Sequence, residues 1–242
     1  MVRYSNFDRG MESGDHFKNG ASSKSQMSRR IFSFFYFIVA TVMLFFPSCS
    51  NNDLTDDNYV IFEENPTSDN LLLIKAYNVE GGSSKDIAFA KVVIVSFIQS
   101  PNGEYNWFEY STKYENAGFK LTFPKTISDE YLQRLSETVL EGVQISDTQA
   151  KIRSAYVEAH NNAEANIGVF SFRSDNCGIG FLYADRNFTM KGVSGFSGSE
   201  FDCSFKKGWN IVYFLYGGKK QTTQKPKNEI FKCYFSRFFV EF

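Results

Sequence analysis

Histidine is scarce in this 242-residue chain: only His16 and His160 occur. Catalytic and structural zinc sites that rely on two or three imidazoles therefore cannot be built within one mature chain, because His16 lies upstream of a segment read below as a signal peptide. No Cys-x-x-Cys occurs among the four cysteines, which argues against a redox enzyme. EF-type spacing is missing as well, although Asp175, Asn176 and Asp185 could contribute oxygen ligands to Ca²⁺. A Ser–His–Asp triad would have to use His160, in the polar stretch Glu158 to Asn162. The small-residue segment Gly192 to Gly198 (GVSGFSG) does not supply its serine: neither Ser194 nor Ser197 satisfies Gly-x-Ser-x-Gly, and the segment reads as a loop. No catalytic residue, metal or cofactor is expected. Basic excess is absent too. Removing the six basic and three acidic residues that precede Cys49 leaves 20 basic against 24 acidic, a net of −4. Phosphate neutralisation supplies most nucleic-acid affinity, so nucleic acid is excluded as an expected partner.

What the sequence does have begins with a sixteen-residue apolar run, Ile31 to Phe46, interrupted only by Ser33 and Thr41. Arg29 and Arg30 precede it, and small residues follow, the order of a secretory signal peptide. As a helix it would span roughly 24 Å, short of the ~30 Å hydrocarbon core, which favours cleavage over a permanent anchor. Residues 1–26 are polar and aperiodic, and Met27 stands just ahead of the arginine pair. The expectation is an over-extended gene model at 1–26 and a signal peptide at 27–48. Ser48 and Cys49 then resemble the lipobox of bacterial lipoproteins, in which the cysteine is lipidated and becomes the mature N-terminus. Phe46 and Pro47 depart from that pattern. Acyl chains on Cys49 would give stable anchoring, at ~0.8 kcal/mol per buried CH₂. Residues 49–58 continue as a polar tether carrying Asp53, Asp56 and Asp57. An acidic stretch there resembles the signal that sends lipoproteins of the Bacteroidota to the outer face of the outer membrane.

From Tyr59 onward, short apolar runs alternate with turn residues. Aromatics make up 17% of the chain, with 27 Phe and 13 Tyr, a composition that suits pleated, half-buried surfaces. Strands are expected at Leu71–Val79, Ile87–Ile98 and Tyr105–Tyr110, the last two joined by a hairpin at Pro101 to Gly103. Phe119, Leu121 and Phe123 alternate with Lys120 and Thr122 in another. Further strands are expected near 152–159, 167–172, 180–184, 188–193, 201–205, 211–216 and 230–240. One short helix is expected after Ser128, with Tyr131, Leu132, Leu135 and Val139 as its apolar stripe before Gly142. Residues 59–242 thus read as a single all-β domain, an antiparallel β-sandwich with one short helix.

Three phrases, Tyr114 to Pro124 (YENAGFKLTFP), Phe181 to Arg186 (FLYADR) and Lys206 to Asn210 (KKGWN), together resemble small lipoproteins of the Bacteroidota. The resemblance covers most of residues 70–242 and implies a β-rich domain in the cell envelope, held to the outer membrane through lipid on Cys49. It brings no catalytic residues with it. Of the remaining cysteines, Cys203 and Cys233 fall in expected strands and either pair or stay buried thiols, with burial favoured; Cys177 falls in a turn and is expected to be exposed.

The functional lead is aromatic. Tyr105, Trp107, Phe108 and Tyr110 crowd one strand, and exposed rings stack on the apolar faces of sugars. Core packing is the competing reading for each ring, and for Trp209. Tyr105, Trp107 and Tyr110 are the candidate ligand-binding residues of a noncatalytic surface lipoprotein whose partner is a glycan or an envelope protein. The alternative is a carboxylate-dependent hydrolase of envelope or extracellular polymers, for which 24 acidic residues always offer some pair.

Overall fold

The computed structural model describes residues 58–65, 71–81, 84–99, 105–137 and 141–237. The chain separates into Met1–Leu44 and Phe45–Phe242, and every described residue belongs to the second unit. The extension, the signal peptide, Cys49 and the tether as far as Asp57 lie outside the described residues, as does the hairpin turn at Pro101 to Gly103.

Alternating apolar and polar residues become strands almost throughout. The first five are β1 (Tyr59–Asn65), β2 (Leu71–Tyr77), β3 (Phe89–Gln99), β4 (Tyr105–Lys113) and β5 (Phe119–Thr122). Then come β6 (Gln133–Arg134), β7 (Val143–Ile145), β8 (Lys151–His160), β9 (Asn166–Arg173) and β10 (Cys177–Ala184). The last are β11 (Phe188–Val193), β12 (Glu200–Phe205), β13 (Gly208–Leu215), β14 (Lys220–Thr222) and β15 (Lys232–Arg237). Strands make up 59% of the described chain, so the fold is the all-β sandwich that the sequence implies.

The helix expected after Ser128 does not form. Asp129–Tyr131 and Leu135–Glu137 are single 3₁₀ turns, and between them β6 pairs with β8. Ser128 makes no side-chain cap. The backbone finds its hydrogen bonds across the chain instead: Leu135 N–H donates to Ala150 O at 2.9 Å and Ser136 N–H to Thr148 O at 2.8 Å. Buried peptide groups need partners, and here neighbouring segments supply them in place of the i−4 carbonyl. Val139 lies outside the described residues.

A small antiparallel sheet, ordered β1-β2-β5, packs on a twelve-stranded sheet that runs β4-β3-β8-β9-β10-β13-β14-β12-β11-β7. Among the described residues, all ladders are antiparallel except β12 with β14. The large sheet forks at β8. Its residues 157–160 pair with β9, its residues 152–155 with β10, and β9 carries β15 on its other edge. Backbone bonds stitch β15 to the segment that follows β2: Glu80 N–H donates to Cys233 O (3.0 Å) and Phe235 N–H to Glu80 O (2.7 Å). Gly81 makes this approach possible, since a Cβ there would lie 2.3 Å from Phe235 O and its φ is +105°.

Between the sheets lies an aromatic core. Phe123, the residue after β5, sits 4.7 Å from Trp209 and 5.0 Å from Phe181, centroid to centroid. Phe172 meets Phe181 at 5.4 Å and Phe62 at 5.8 Å, edge to face, and Phe119 meets Phe170 at 4.8 Å. Leu72, Ile74 and Leu121 from the small sheet and Val92, Ile94, Val157 and Ile211 from the large one fill the space between. The Trp209 indole N–H donates to Pro124 O at 2.8 Å, so the ring's one polar group is satisfied inside the core. Replacing Phe123 by Ala is expected to cost about 3–5 kcal/mol, measured by denaturant unfolding, because the ring is fully enclosed and bridges the two sheets. A loss below about 1 kcal/mol would mean that the two layers do not depend on this contact.

Candidate functional site

Strands β4 and β5 are consecutive in sequence yet belong to different sheets, and a groove opens at the corner between them. The chain leaves the edge of the large sheet at Lys113, reverses, and enters the edge of the small sheet at Phe119. Glu115 and Gly118 exchange both backbone bonds, at 2.9 and 3.0 Å, around Asn116 (φ +52°) and Ala117 (φ +55°). Positive φ at both central residues marks a tight hairpin turn. Asn accepts that geometry readily, whereas Ala pays roughly 1 kcal/mol. The Ala117 carbonyl is held by Val79 N–H at 2.8 Å, which ties the turn to the end of β2. Gly118 is required by proximity: a Cβ there would lie 2.3 Å from Ala76 O.

The groove has a volume of about 630 Å³. Lys75 and Tyr77 from β2, Thr112 and Lys113 from β4, Glu115 from the turn and Lys120 from β5 all line it. At its mouth Tyr77 stands opposite Tyr59 in the β1–β2 register, with the rings stacked at 4.9 Å and 30° between planes. Both are about two-fifths exposed, at 40% and 41%, so their outer surfaces face solvent. Ile61, next along the same face of β1, is also exposed.

Of the candidate residues chosen from sequence, Tyr110 is 49% exposed on β4, the edge strand of the large sheet. Strand alternation puts it on the same side as Thr112, one pleat from the groove. Trp107 stands opposite Val95, and Tyr105 opposite Gln99 beyond an irregularity in β3; their side chains lie outside the described residues. Trp209 belongs to the core. Tyr59 and Tyr77 escaped the sequence reading because they sit at the far ends of two separate runs, and only the β1–β2 register makes them neighbours.

A second polar cluster occupies the outer face of β3 and β8. His160 is buried, its Nε2 2.8 Å from Glu158 Oε2 and its Nδ1 2.8 Å from Glu164 O. Lys91, opposite Glu158 across the strands, reaches Glu109 at 3.2 Å and Glu164 at 3.8 Å. Burial, aided by Glu158, holds the Tyr156 hydroxyl well above its ordinary range, and burial brings the Arg153 guanidinium down to about 10. Both ring nitrogens of His160 are engaged, so neither is left to activate a serine. Ser194 lies elsewhere, buried in the β11–β12 loop, where its hydroxyl accepts the Ser197 N–H at 3.3 Å. Asp185 is committed to Lys151 N–H and Arg186, and Asn176 to Glu229. Among the described residues, no three His, Cys, Asp or Glu side chains gather to hold a metal ion.

Cys177, Cys203 and Cys233 are all free and buried. Cys177 corrects the expectation of an exposed turn residue: it opens β10 opposite Leu215, inside the sheet ladder. Comparison with protein-family models, with curated proteins and with solved structures gives no match to this chain.

Burial pushes the Cys177 and Cys203 thiols up to about 12, and the Cys233 thiol well above its usual value. A thiol kept protonated in the fold but free to ionise when unfolded favours the fold below pH ~9 and loses that contribution as pH rises toward about 12. Thermal melts are therefore expected to move to lower temperature between pH 9 and 12, and at pH 8 these three thiols should resist alkylation until denaturant is added. Rapid labelling of the native protein at any of the three would contradict their enclosure.

Proposed function

We propose that this chain is a noncatalytic surface lipoprotein, anchored to the outer membrane through lipid on Cys49, whose β-sandwich binds a glycan at the groove between β4 and β5. The observation that carries the reading is the exposed Tyr59–Tyr77 stack at the mouth of a polar-lined groove. Aromatic rings offer a sugar's apolar face a flat surface with little entropy to lose, and flanking polar groups fix its orientation. Tyr110 is exposed one pleat from Thr112, which lines the groove. A hydrolase reading fits the groove less well. Glycoside hydrolysis uses two carboxylates flanking the scissile bond, and Glu115 is the one carboxylate among the described lining residues.

Calorimetry of the full chain against neutral and acidic polysaccharides tests the site. Tyr77→Ala and Tyr59→Ala are each expected to weaken binding about tenfold, the order of one aromatic stacking contact. Binding that survives both changes but vanishes in Trp107→Ala would move the site along β4, and silence across the panel from folded protein would favour a protein partner.

Mass spectrometry of the protein recovered from membranes tests the anchor. The expected result is an N-terminal peptide beginning at Cys49 with added acyl mass, and loss of membrane association in Cys49→Ser. Mature protein that is soluble and unmodified at Cys49 would overturn the anchoring.

A further inference from the structure

The outer face of the small sheet carries its lysines in unequal surroundings. Leu72, Ile74 and Ala76 of β2 and Phe119 and Leu121 of β5 face the core, so alternation turns Lys75, Tyr77 and Lys120 outward. In the antiparallel register Lys75 stands directly opposite Lys120. Directly opposed residues hold their Cβ atoms about 5 Å apart, and like charges in that position repel. The Lys75 ammonium is paired with the Glu63 carboxylate of β1, whereas Lys120 forms no ion pair among the described residues. Lys113 completes the lining at 4.0 Å from Glu115, and both of those side chains are well exposed, so that pair is weak. Three lysines and one glutamate thus line the groove, although the domain as a whole leans acidic. The Tyr59–Tyr77 stack lies one pleat from the lysine pair, roughly 7 Å along the strand. A sugar ring on the tyrosines would present a substituent toward Lys120.

We propose that the ligand of this groove is an acidic glycan, with a sugar ring on Tyr77 and Tyr59 and its carboxylate or sulfate against Lys120. This rests on the glycan-binding reading above and narrows it to one chemical class. The bound anion satisfies the ammonium of Lys120. Lys120 then acts as the charge-reading residue, and the tyrosines bind acidic and neutral sugars alike.

The test is calorimetry of the full chain with polygalacturonate, with the same polymer fully methyl-esterified, with chondroitin sulfate and with polyglutamate. Polygalacturonate or chondroitin sulfate is expected to bind about tenfold more tightly than the esterified polymer at low salt, an advantage that shrinks as salt is added. Lys120→Gln should erase most of that advantage without weakening binding of the esterified polymer, and Lys120→Arg should keep it. Position 120 is exposed, so neither change threatens folding, and circular dichroism checks this. Equal affinity for charged and esterified polymers would overturn the acid preference while leaving glycan binding in place. Polyglutamate binding as tightly as the acidic sugars would overturn the assignment to a glycan and leave a charge-driven protein partner. Failure of the folded protein to bind any of the polysaccharides would defeat the glycan reading and this inference with it.

Discussion

Aromatic packing between the two sheets is the constraint on which the rest of the molecule depends. Phe123 reaches from the end of β5 to Phe181 and Trp209 in the large sheet, and Phe62 reaches from β1 to Phe172 and Phe181. Rings that meet edge to face combine a large buried area with a preferred geometry, so they set the position of the layers as well as holding them together. The Trp209 bond to Pro124 fixes the point at which β5 leaves the core. Because β5 is one wall of the groove, the site is shaped by packing on the opposite side of the same strand.

Buried polar groups on the outer face of the large sheet are used to settle turns. Asn210 is buried, yet its side chain accepts the Lys206 N–H at 2.9 Å and donates to the carbonyls of Lys206 and Gly208 at 2.8 and 3.0 Å. The phrase Lys206 to Asn210 is therefore a self-contained hairpin, with Gly208 at φ +99° supplying the conformation other residues avoid. His160 does comparable work at the β8–β9 turn. It grips Glu164 O, while Asn161 Oδ1 accepts the N–H groups of Ala163 and Ala165. Leaving Glu158 buried without its histidine would expose a desolvation cost that the present pairing avoids.

The phrases Tyr114 to Pro124, Phe181 to Arg186 and Lys206 to Asn210 hold these structural devices. Tyr114 to Pro124 makes the turn and strand that bound the groove, and Phe181 to Arg186 supplies a core ring followed by the Asp185 contact to Lys151. Such residues specify a scaffold. The lysines and tyrosines that give the groove its chemistry are ordinary surface residues in the sequence, scattered over positions 59, 75, 77, 113 and 120.

Sequence alone determined the fold class and most of the strands, because period-two alternation in runs such as Phe119 to Phe123 is a local property with one physical explanation. It also indicated the core role of most aromatics. Short strands were not legible: β7 and β14 have three residues each, too few for alternation to register, and β1 was not separated from its neighbours. The segment after Ser128 has helical spacing, but β8 and the Ala150 and Thr148 carbonyls offered its backbone better partners than its own preceding turn. Only the tertiary structure could decide the groove. It depends on which strands share a sheet and in what register, and those choices bring Tyr59 beside Tyr77 and Lys75 beside Lys120 through pairings that no local pattern encodes.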